Sequence, residues 1–242
     1  GIPVRLSDAM ELIDRTTDFI VSNQHLQLVD ELASSKRFKN IKLLNYVDEY
    51  DPDVQKQFAA MTYRLSLDTY LVVFRGTDDT LIGWKEDFHM TYMNHVPAQK
   101  RAASYLQHVM KEFPKGRFLV AGHSKGGNLA TYACSYLPDS LFERVDAIYS
   151  YDAPGLNKAI IETEGYQRTS PNIRRFVPQG SIVGMMLEVP EPTTIVKSRA
   201  FGGFAQHDAF TWEIKDYSFV TVSETSPDSQ QTDLTLKQWV RE

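Results

Sequence analysis

The segment 118–127 carries the residues whose types and spacing are most typical of chemistry. Residues 122–126 read Gly-His-Ser-Lys-Gly, a Gly-x-Ser-x-Gly spacing between an apolar run and a helical pattern. On a sharp turn from strand to helix, the serine hydroxyl stands clear of the backbone, and the flanking glycines remove Cβ atoms that would collide. The start of the helix points backbone N–H groups at a developing oxyanion. The pattern predicts that Ser124 is a nucleophile for acyl groups.

The histidines indicate which residue is the base for this nucleophile. The order serine, acid, histidine is expected along the chain for this motif. Five histidines precede Ser124: His25, His89, His95, His108 and His123. His207 alone follows it, in the glycine-bearing loop 201–208, and we predict that it is the general base. Asp208 is a poor orienting acid for it, because the side chains of adjacent residues diverge.

Two segments resemble the class 3, fungal-type lipases. Residues 121–130, Ala-Gly-His-Ser-Lys-Gly-Gly-Asn-Leu-Ala, are similar to the nucleophile turn of that family. Residues 72–77, Val-Val-Phe-Arg-Gly-Thr, followed by Trp-Lys-Glu-Asp at 84–87, are similar to its oxyanion strand and loop. The resemblance covers roughly 62–214 and is greatest to a group of bacterial lipase-like proteins. It implies the α/β-hydrolase fold.

The resemblance also implies an oxyanion hole. In that family, a serine or threonine after Arg-Gly serves the oxyanion with its N–H and its hydroxyl, which here assigns Thr77. The aspartate three residues after the tryptophan steadies that hydroxyl, which assigns Asp87. The residue after the nucleophile gives the other N–H, which assigns Lys125, although the family more often has an apolar residue there. A strand end with an ordinary turn is the other interpretation of Thr77 and Asp87.

The acidic residue that should complete a catalytic triad with Ser124 and His207 departs from the family pattern. In the segment 175–183, Ser181 stands where the resemblance implies an aspartate, and a hydroxyl cannot supply the negative charge that stabilises an imidazolium. Either the triad is incomplete or the acid has moved. Asp152 follows a strand-like run and precedes a Pro-Gly turn, and pancreatic-type lipases take their acid from that strand. We therefore predict Asp152 as the acid, with Ser181 hydrogen-bonding near the histidine; the alternative for Asp152 is turn formation alone.

Strand-like and helical patterns alternate along the middle of the chain. The predicted strands cover 62–67, 70–74, 117–121, 146–151, 172–177, 209–214 and 218–222. The predicted helices cover 10–20, 26–33, 98–113 and 126–137. This alternation favours an α/β class with a mostly parallel central sheet and helices on both faces. We expect a single domain over residues 1–242, with a helical segment of about 1–40 packed on it.

Composition excludes several classes of function. The net charge of −5 argues against a nucleic-acid-binding surface and against a polybasic membrane anchor. No apolar run approaches the ~20 residues of a membrane-spanning helix, so we expect no stable membrane insertion. Cys134 is the one cysteine, which excludes an internal disulfide and a thiolate metal site and favours a cytoplasmic location. Composition leaves the oligomeric state open.

These residues predict a carboxylic ester hydrolase of lipase or esterase type, acting through an acyl-enzyme without cofactor or metal. The substrate is a small-molecule or lipid ester by resemblance. The apolar segments 88–93 and 184–187 line either an acyl pocket or the core. Two alternatives stay open: a binding protein with the hydrolase fold but impaired turnover, which Ser181 favours, and an acyltransferase that excludes water.

Overall fold

The computed structural model describes residues 2–16, 22–51, 53, 56–77, 95–187, 189–231 and 234–235. The strands are β1 (Val4–Arg5), β2 (Lys42–Asp51), β3 (Lys56–Arg64), β4 (Thr69–Phe74), β5 (Arg117–His123), β6 (Val145–Tyr151), β7 (Ile173–Pro178), β8 (Thr193–Val196), β9 (Ile214–Lys215), β10 (Ser218–Phe219) and β11 (Thr221–Val222). The α-helices are α1 (Leu6–Ala9), α2 (Asn23–Ser34), α3 (Pro97–Glu112), α4 (Lys125–Ser135), α5 (Asp139–Phe142), α6 (Lys158–Ile161), α7 (Glu164–Thr169) and α8 (Gly203–Gln206). Asp87 and the segment 88–93 lie outside the described residues.

One large sheet runs through the described residues in the order β1-β2-β3-β4-β5-β6-β7-β8-β11. The strands β4 to β8 pair in parallel, whereas β1 to β4 pair antiparallel and β11 pairs antiparallel with β8. The strands β9 and β10 form a separate hairpin. A parallel centre connected by helices is typical of the α/β class. The predicted fold class is confirmed.

The core lies between this sheet and the helices α3 and α4. Strand β4 alternates partly exposed and buried side chains, and the buried ones are Tyr70, Val72 and Phe74. The buried side chains of α3 recur at helical spacing and include Ala98, Ala102, Leu106 and Val109. Helix α4 is buried along its whole length, because it packs against β5, β6, α3 and α7. The residue that precedes α4 is therefore held on a rigid element.

Parallel pairing brings the carboxyl ends of β5, β6 and β7 to one edge of the sheet. His123 at the end of β5 pairs with Tyr151 at the end of β6, and Tyr151 pairs with Phe176 of β7. Ser124 and Asp152 each follow the last residue of a strand, so both lie at this edge. Open α/β sheets place their ligand sites outside the carboxyl ends of the strands.

The N-terminal region differs from the sequence-based prediction of a helix over 10–20. The described residues of this stretch form the 3₁₀-helix Met10–Leu12, and Ile13 after it is extended. The Asp14 carboxylate accepts hydrogen bonds from the backbone N–H and the hydroxyl of Thr16, at 2.9 and 2.7 Å. Such local side-chain bonds compete with helix formation, so the prediction is wrong.

Three strands escaped prediction, β1, β2 and β8, and β1 has only two residues. Strand β8 has only four residues, and β2 carries acidic side chains that are unusual in strands. Distant arginines neutralise two of them: Arg75 pairs with Asp48 at 2.9 Å, and Arg101 pairs with Glu49 at 2.8 Å. A local sequence pattern does not contain these long-range ion pairs.

The predicted strand over 209–214 is also wrong. The Asp208 carboxylate accepts the backbone N–H of Phe210 at 2.9 Å and caps a 3₁₀-helix, Ala209–Thr211. Only Ile214–Lys215 is strand at the end of this stretch. The predicted strand over 218–222 is divided at Val220 into β10 and β11. The Val220 N–H donates to the Glu213 carbonyl at 2.9 Å.

Candidate active site

The turn between β5 and α4 holds Ser124 in a conformation that few non-glycine residues adopt. Its φ is 57° and its ψ is −133°. The Ser124 N–H donates to the Tyr151 carbonyl at 2.9 Å, and the Ser124 carbonyl accepts the Gly127 N–H at 2.9 Å. Backbone strain of this kind costs on the order of 1–3 kcal/mol and persists only where the surroundings enforce it. Ser124, the predicted nucleophile, thus lies on the strained turn from strand to helix that the motif predicts.

The glycines of the motif permit this close packing. A Cβ atom at Gly126 would overlap the carbonyl oxygen of Phe74 at the end of β4, and one at Gly122 would overlap the backbone of Gly126. Both contacts are with backbone atoms, which have little freedom to move away. The spacing of glycines around Ser124 is therefore a steric requirement of the way β4, β5 and α4 meet.

The structure brings His207 and Asp152 together across 55 residues of sequence. Nδ1 of His207 lies 2.6 Å from Oδ2 of Asp152. The Asp152 side chain is 1% exposed, whereas that of His207 is 24% exposed. A buried carboxylate on Nδ1 fixes the ring so that Nε2 is the nitrogen available for proton transfer. Asp152 itself has a φ of 42°, a second strained position at the same edge.

The Asp152 carboxylate has a second set of partners on the segment after β7. The Ser181 hydroxyl donates to Oδ1 of Asp152 at 2.5 Å, and it accepts the Gly184 N–H at 2.9 Å. The buried Arg175 guanidinium donates to the Gly184 carbonyl at 2.5 Å. Burial lowers the pKa of Arg175, and the nearby carboxylates of Glu191 and Asp152 oppose that shift. Both oxygens of the Asp152 carboxylate are thus oriented, one by histidine and one by serine.

Ser181 therefore contacts the acid and not the histidine ring. The hydroxyl predicted to form a hydrogen bond near the histidine donates to Asp152, the residue that contacts the imidazole. Asp208, the sequence neighbour of His207, turns its carboxylate to the Phe210 N–H at 2.9 Å. Of these two aspartates, the one that contacts the imidazole in space is Asp152.

Of the residues with predicted oxyanion roles, the structure describes two, Thr77 after β4 and Lys125 after β5. Gly76 is packed against the nucleophile turn, since a Cβ atom there would stand 3.3 Å from Cβ of Ser124. Thr77 follows directly and is partly exposed. Lys125 is the first residue of α4, and its side chain is buried, with 1% exposure. Lys125 is thus next to Ser124 in the sequence, and Thr77 is next to Gly76, which packs against Ser124.

His123 is a feature of the site that sequence reasoning missed. Its Nε2 lies 2.8 Å from the backbone carbonyl oxygen of His207, and the two imidazole rings are 4.5 Å apart. Burial and the neighbouring His207 lower the pKa of His123. The position of His123 inside the motif argues against it as the base, and nothing local in the sequence signals a contact with a residue 84 positions away.

Neither a metal centre nor a membrane span is seen in the part of the chain that the structure describes. There, no group of three or more His, Cys, Asp or Glu side chains is placed to hold a metal ion. None of the helices in these ranges has the length and apolar character needed to cross a bilayer.

Comparison with solved structures gives fungal lipases at low sequence identity. A mutant form of MDLA from Penicillium cyclopium is 14% identical, with a TM-score of 0.50, over 84% of this chain and 79% of that one. The lipase from Rhizopus microsporus var. chinensis is 18% identical, with a TM-score of 0.47, over 68% of this chain and 64% of that one. The lipase II from Rhizopus niveus is 16% identical, with a TM-score of 0.45, over 67% and 68% of the two chains.

These likenesses concern the fold, which is that of the α/β-hydrolases. The chain matches less than two thirds of the length of the Rhizopus microsporus lipase. A comparison with curated proteins gives no significant match. A family model described as Mbeg1-like matches residues 32–242, which is most of the sequence. The chain belongs to the Mbeg1-like family.

Proposed function

We propose that the protein is a serine hydrolase that cleaves carboxylic esters through an acyl-enzyme on Ser124. The observation that carries the proposal is the 2.6 Å contact between His207 and a fully buried Asp152, at the edge of the sheet that also bears the strained Ser124. A nucleophile, an imidazole and an orienting carboxylate in this chain order are the parts that acyl transfer needs.

The first step is attack of Ser124 on the carbonyl carbon. Since Nδ1 of His207 is bonded to Asp152, Nε2 takes the proton from the serine hydroxyl as the bond to carbon forms. The positive charge that develops on His207 is stabilised by the Asp152 carboxylate. His207 then gives the proton to the leaving alcohol, and an ester joins the acyl group to Ser124.

The negative charge of the tetrahedral intermediate rests on the oxyanion donors. The Lys125 N–H belongs to the first turn of α4, at the positive end of the helix dipole. The N–H and hydroxyl of Thr77 are the other donors in this proposal, with Asp87 steadying the hydroxyl. Loss of one such donor typically costs about 10²–10³ in rate. Water activated by His207 then releases the acid and restores Ser124.

A lipid ester is the substrate class that the neighbours in fold suggest, since several are lipases by name. The position of segment 184–187 supports a lipid substrate, because Gly184 is packed against Asp152 and places this apolar stretch beside the site. Activity on p-nitrophenyl esters of increasing chain length measures the preference. A steep optimum at long chains is expected for a lipid esterase, whereas a flat profile would limit the proposal to esters in general.

The alternative of a binding protein without turnover rested on the serine at position 181. The position of Asp152 supplies the carboxylate that Ser181 lacks, which favours the hydrolase over that alternative. An acyltransferase would use the same triad. Adding an alcohol acceptor separates the two enzymes, because a transferase would form the new ester in preference to the free acid.

Covalent labelling with a fluorophosphonate probe, followed by mass spectrometry of the adduct, tests the proposal. Labelling is expected on Ser124, with its loss in Ser124→Ala and in His207→Ala. His108→Ala is a matched histidine control, because its side chain is 77% exposed on α3. An unlabelled but folded protein would overturn the proposal, and so would labelling at Ser124 that does not need His207.

A further inference from the structure

We propose that His123 is a positioning residue that holds the His207 backbone against the nucleophile turn, an inference that rests on the proposed function. Its Nε2 lies 2.8 Å from the carbonyl oxygen of His207. The two rings face each other at 4.5 Å between centroids with an interplanar angle of 36°. The residue beside the nucleophile thus contacts both the backbone and the ring of the base.

The chemistry of this bond fixes the state of His123. A carbonyl oxygen only accepts hydrogen bonds, so Nε2 of His123 must carry the proton and donate it. The ring is partly buried, and its lowered pKa favours the neutral form at pH 7. His123 is therefore a neutral imidazole in the Nε2–H tautomer, a state that a single spectroscopic observation identifies.

The elements on the two sides of the bond differ in rigidity. His123 is the last residue of β5, paired with Tyr151 of β6 in the middle of the parallel sheet. His207 follows α8, a helix of only four residues with two exposed aromatic side chains nearby. Short helices have little stability of their own. The base therefore depends on contacts from rigid neighbours for its position.

Two such contacts hold consecutive carbonyl groups at the base. The indole Nε1–H of the buried Trp212 donates to the Gln206 carbonyl at 2.8 Å, and His123 donates to the next carbonyl, that of His207. Together with Asp152 on Nδ1, they fix the backbone and the ring of His207. Of the three contacts, only that of His123 connects the base directly to the residue beside the nucleophile.

The charged and titratable groups around His123 explain why a neutral donor suits this place. Burial and His207 disfavour a positive charge on His123, whereas Asp152 and Asp208 favour it. During the reaction His207 itself becomes an imidazolium. A second positive ring at 4.5 Å would oppose that charge, so a neutral imidazole positions the base without this repulsion.

A pair of variants of similar length tests the role of the donor. His123→Gln keeps a side-chain N–H, whereas His123→Met has none. We expect His123→Met to lower kcat by about 10- to 100-fold, the cost of a misplaced catalytic group, with KM little changed. His123→Gln is expected to retain most of the activity. Equal activity of the two variants would overturn the proposal.

The unsubstituted protein gives a second test that does not depend on the folding of variants. Nitrogen-15 NMR of the imidazoles at pH 7 is expected to show the His123 ring as neutral with its proton on Nε2; the His123 signal is assigned by its loss in either variant that folds, or else by its couplings. A proton on Nδ1, or a charged ring, would contradict the bond. Failure of the wild-type protein to label at Ser124 would instead overturn the proposed function itself, so the two failures are distinguishable.

Discussion

In the proposed site, the turn that holds Ser124 (the nucleophile turn) and the turn that holds Asp152 (the acid turn) lie at the same edge of the sheet. The two turns are nevertheless formed in different ways. The nucleophile turn is local: Ser124, the glycines on either side and the first residue of α4 are within a few positions of each other. Its conformation is enforced by backbone contacts such as that between Gly126 and Phe74. Such a site leaves a short and specific pattern in the sequence.

The acid turn is assembled from distant residues. Asp152 follows β6, and its partners Ser181 and His207 come from separate segments after β7 and after α8. Gly184 lies close enough that a Cβ atom there would stand 2.6 Å from Oδ1 of Asp152. Side-chain hydrogen bonds from distant segments hold the carboxylate in place on this strained turn. Substitutions that crowd the glycines of the first turn are therefore expected to destabilise the fold, whereas substitutions around the carboxylate of the second are expected to impair mainly the chemistry.

The largest effect is expected for Gly126→Ala, because the added methyl group overlaps the backbone carbonyl of Phe74. Overpacking against an immobile group is expected to destabilise the fold by at least about 3 kcal/mol. Urea unfolding measures the change. Gly202→Ala is the control without a clash: nothing lies within 4 Å of its Cβ position, although its φ of 83° and ψ of 146° strain an alanine by on the order of 1–3 kcal/mol. Equal destabilisation of the two variants would refute the steric account of the motif.

Gly184→Ala is expected to lower activity more than stability. Its methyl group would stand 2.6 Å from Oδ1 of Asp152 and 2.7 Å from Oγ of Ser181, so the carboxylate must move. A displacement of this size is expected to reduce kcat by about 10²-fold. Ester turnover and the urea midpoint, measured on one preparation, separate the two quantities. A loss of stability without a loss of activity per folded molecule would contradict the account.

A smaller effect is expected for Ser181→Ala, which removes one hydrogen bond to a buried carboxylate. A bond to a charged group contributes about 1.5–3 kcal/mol, and we expect part of it to be lost as a reduction of roughly 10-fold in kcat. Ser198→Ala is the control, since that buried hydroxyl bonds Oγ1 of Thr211 at 2.8 Å and not the acid. If both variants keep full activity, Ser181 has no part in orienting Asp152.

The smallest effect is expected in the dependence of stability on pH. Folding lowers the pKa of His123 from its ordinary value of 6.5. Below about pH 6.5, the unfolded chain therefore binds a proton at His123 more readily than the folded chain does. This contribution to stability is complete above pH 6.5 and is lost as the pH falls towards the folded pKa. The urea midpoint of His123→Gln is expected to change less than that of wild type between pH 7.5 and 5.5. Parallel curves would contradict the shift.

The contrast between the local nucleophile turn and the acid turn also explains which parts of the fold and of the site the sequence predicts. The helices α3 and α4 and the strands β5, β6 and β7 follow from apolar periodicity, and the position of Ser124 follows from a local motif. Asp152 was one of several acids in order along the chain, and only the parallel register brings it to His207. The strand β2 was missed because its acidic residues are neutralised by Arg75 and Arg101 from elsewhere in the fold.

The contact of His123 with His207 was not predictable from the sequence either, although His123 lies within the motif. Its position in the sequence is fixed by the pattern around Ser124, but its partner lies 84 residues away. A contact between a strand end and a distant loop depends on how the loop packs, which neither propensity nor spacing records. Interactions among side chains from three separate segments could be identified only in the structure.

The rate at which a fluorophosphonate labels Ser124 in Asp152→Asn and in Asp208→Asn tests the central claim most directly. The two aspartates are the spatial and the sequence neighbour of His207, and only Asp152 contacts its ring. We predict a fall of about 10³- to 10⁴-fold for Asp152→Asn and a rate close to wild type for Asp208→Asn. A near-normal rate in folded Asp152→Asn would contradict the claim that this carboxylate orients the base.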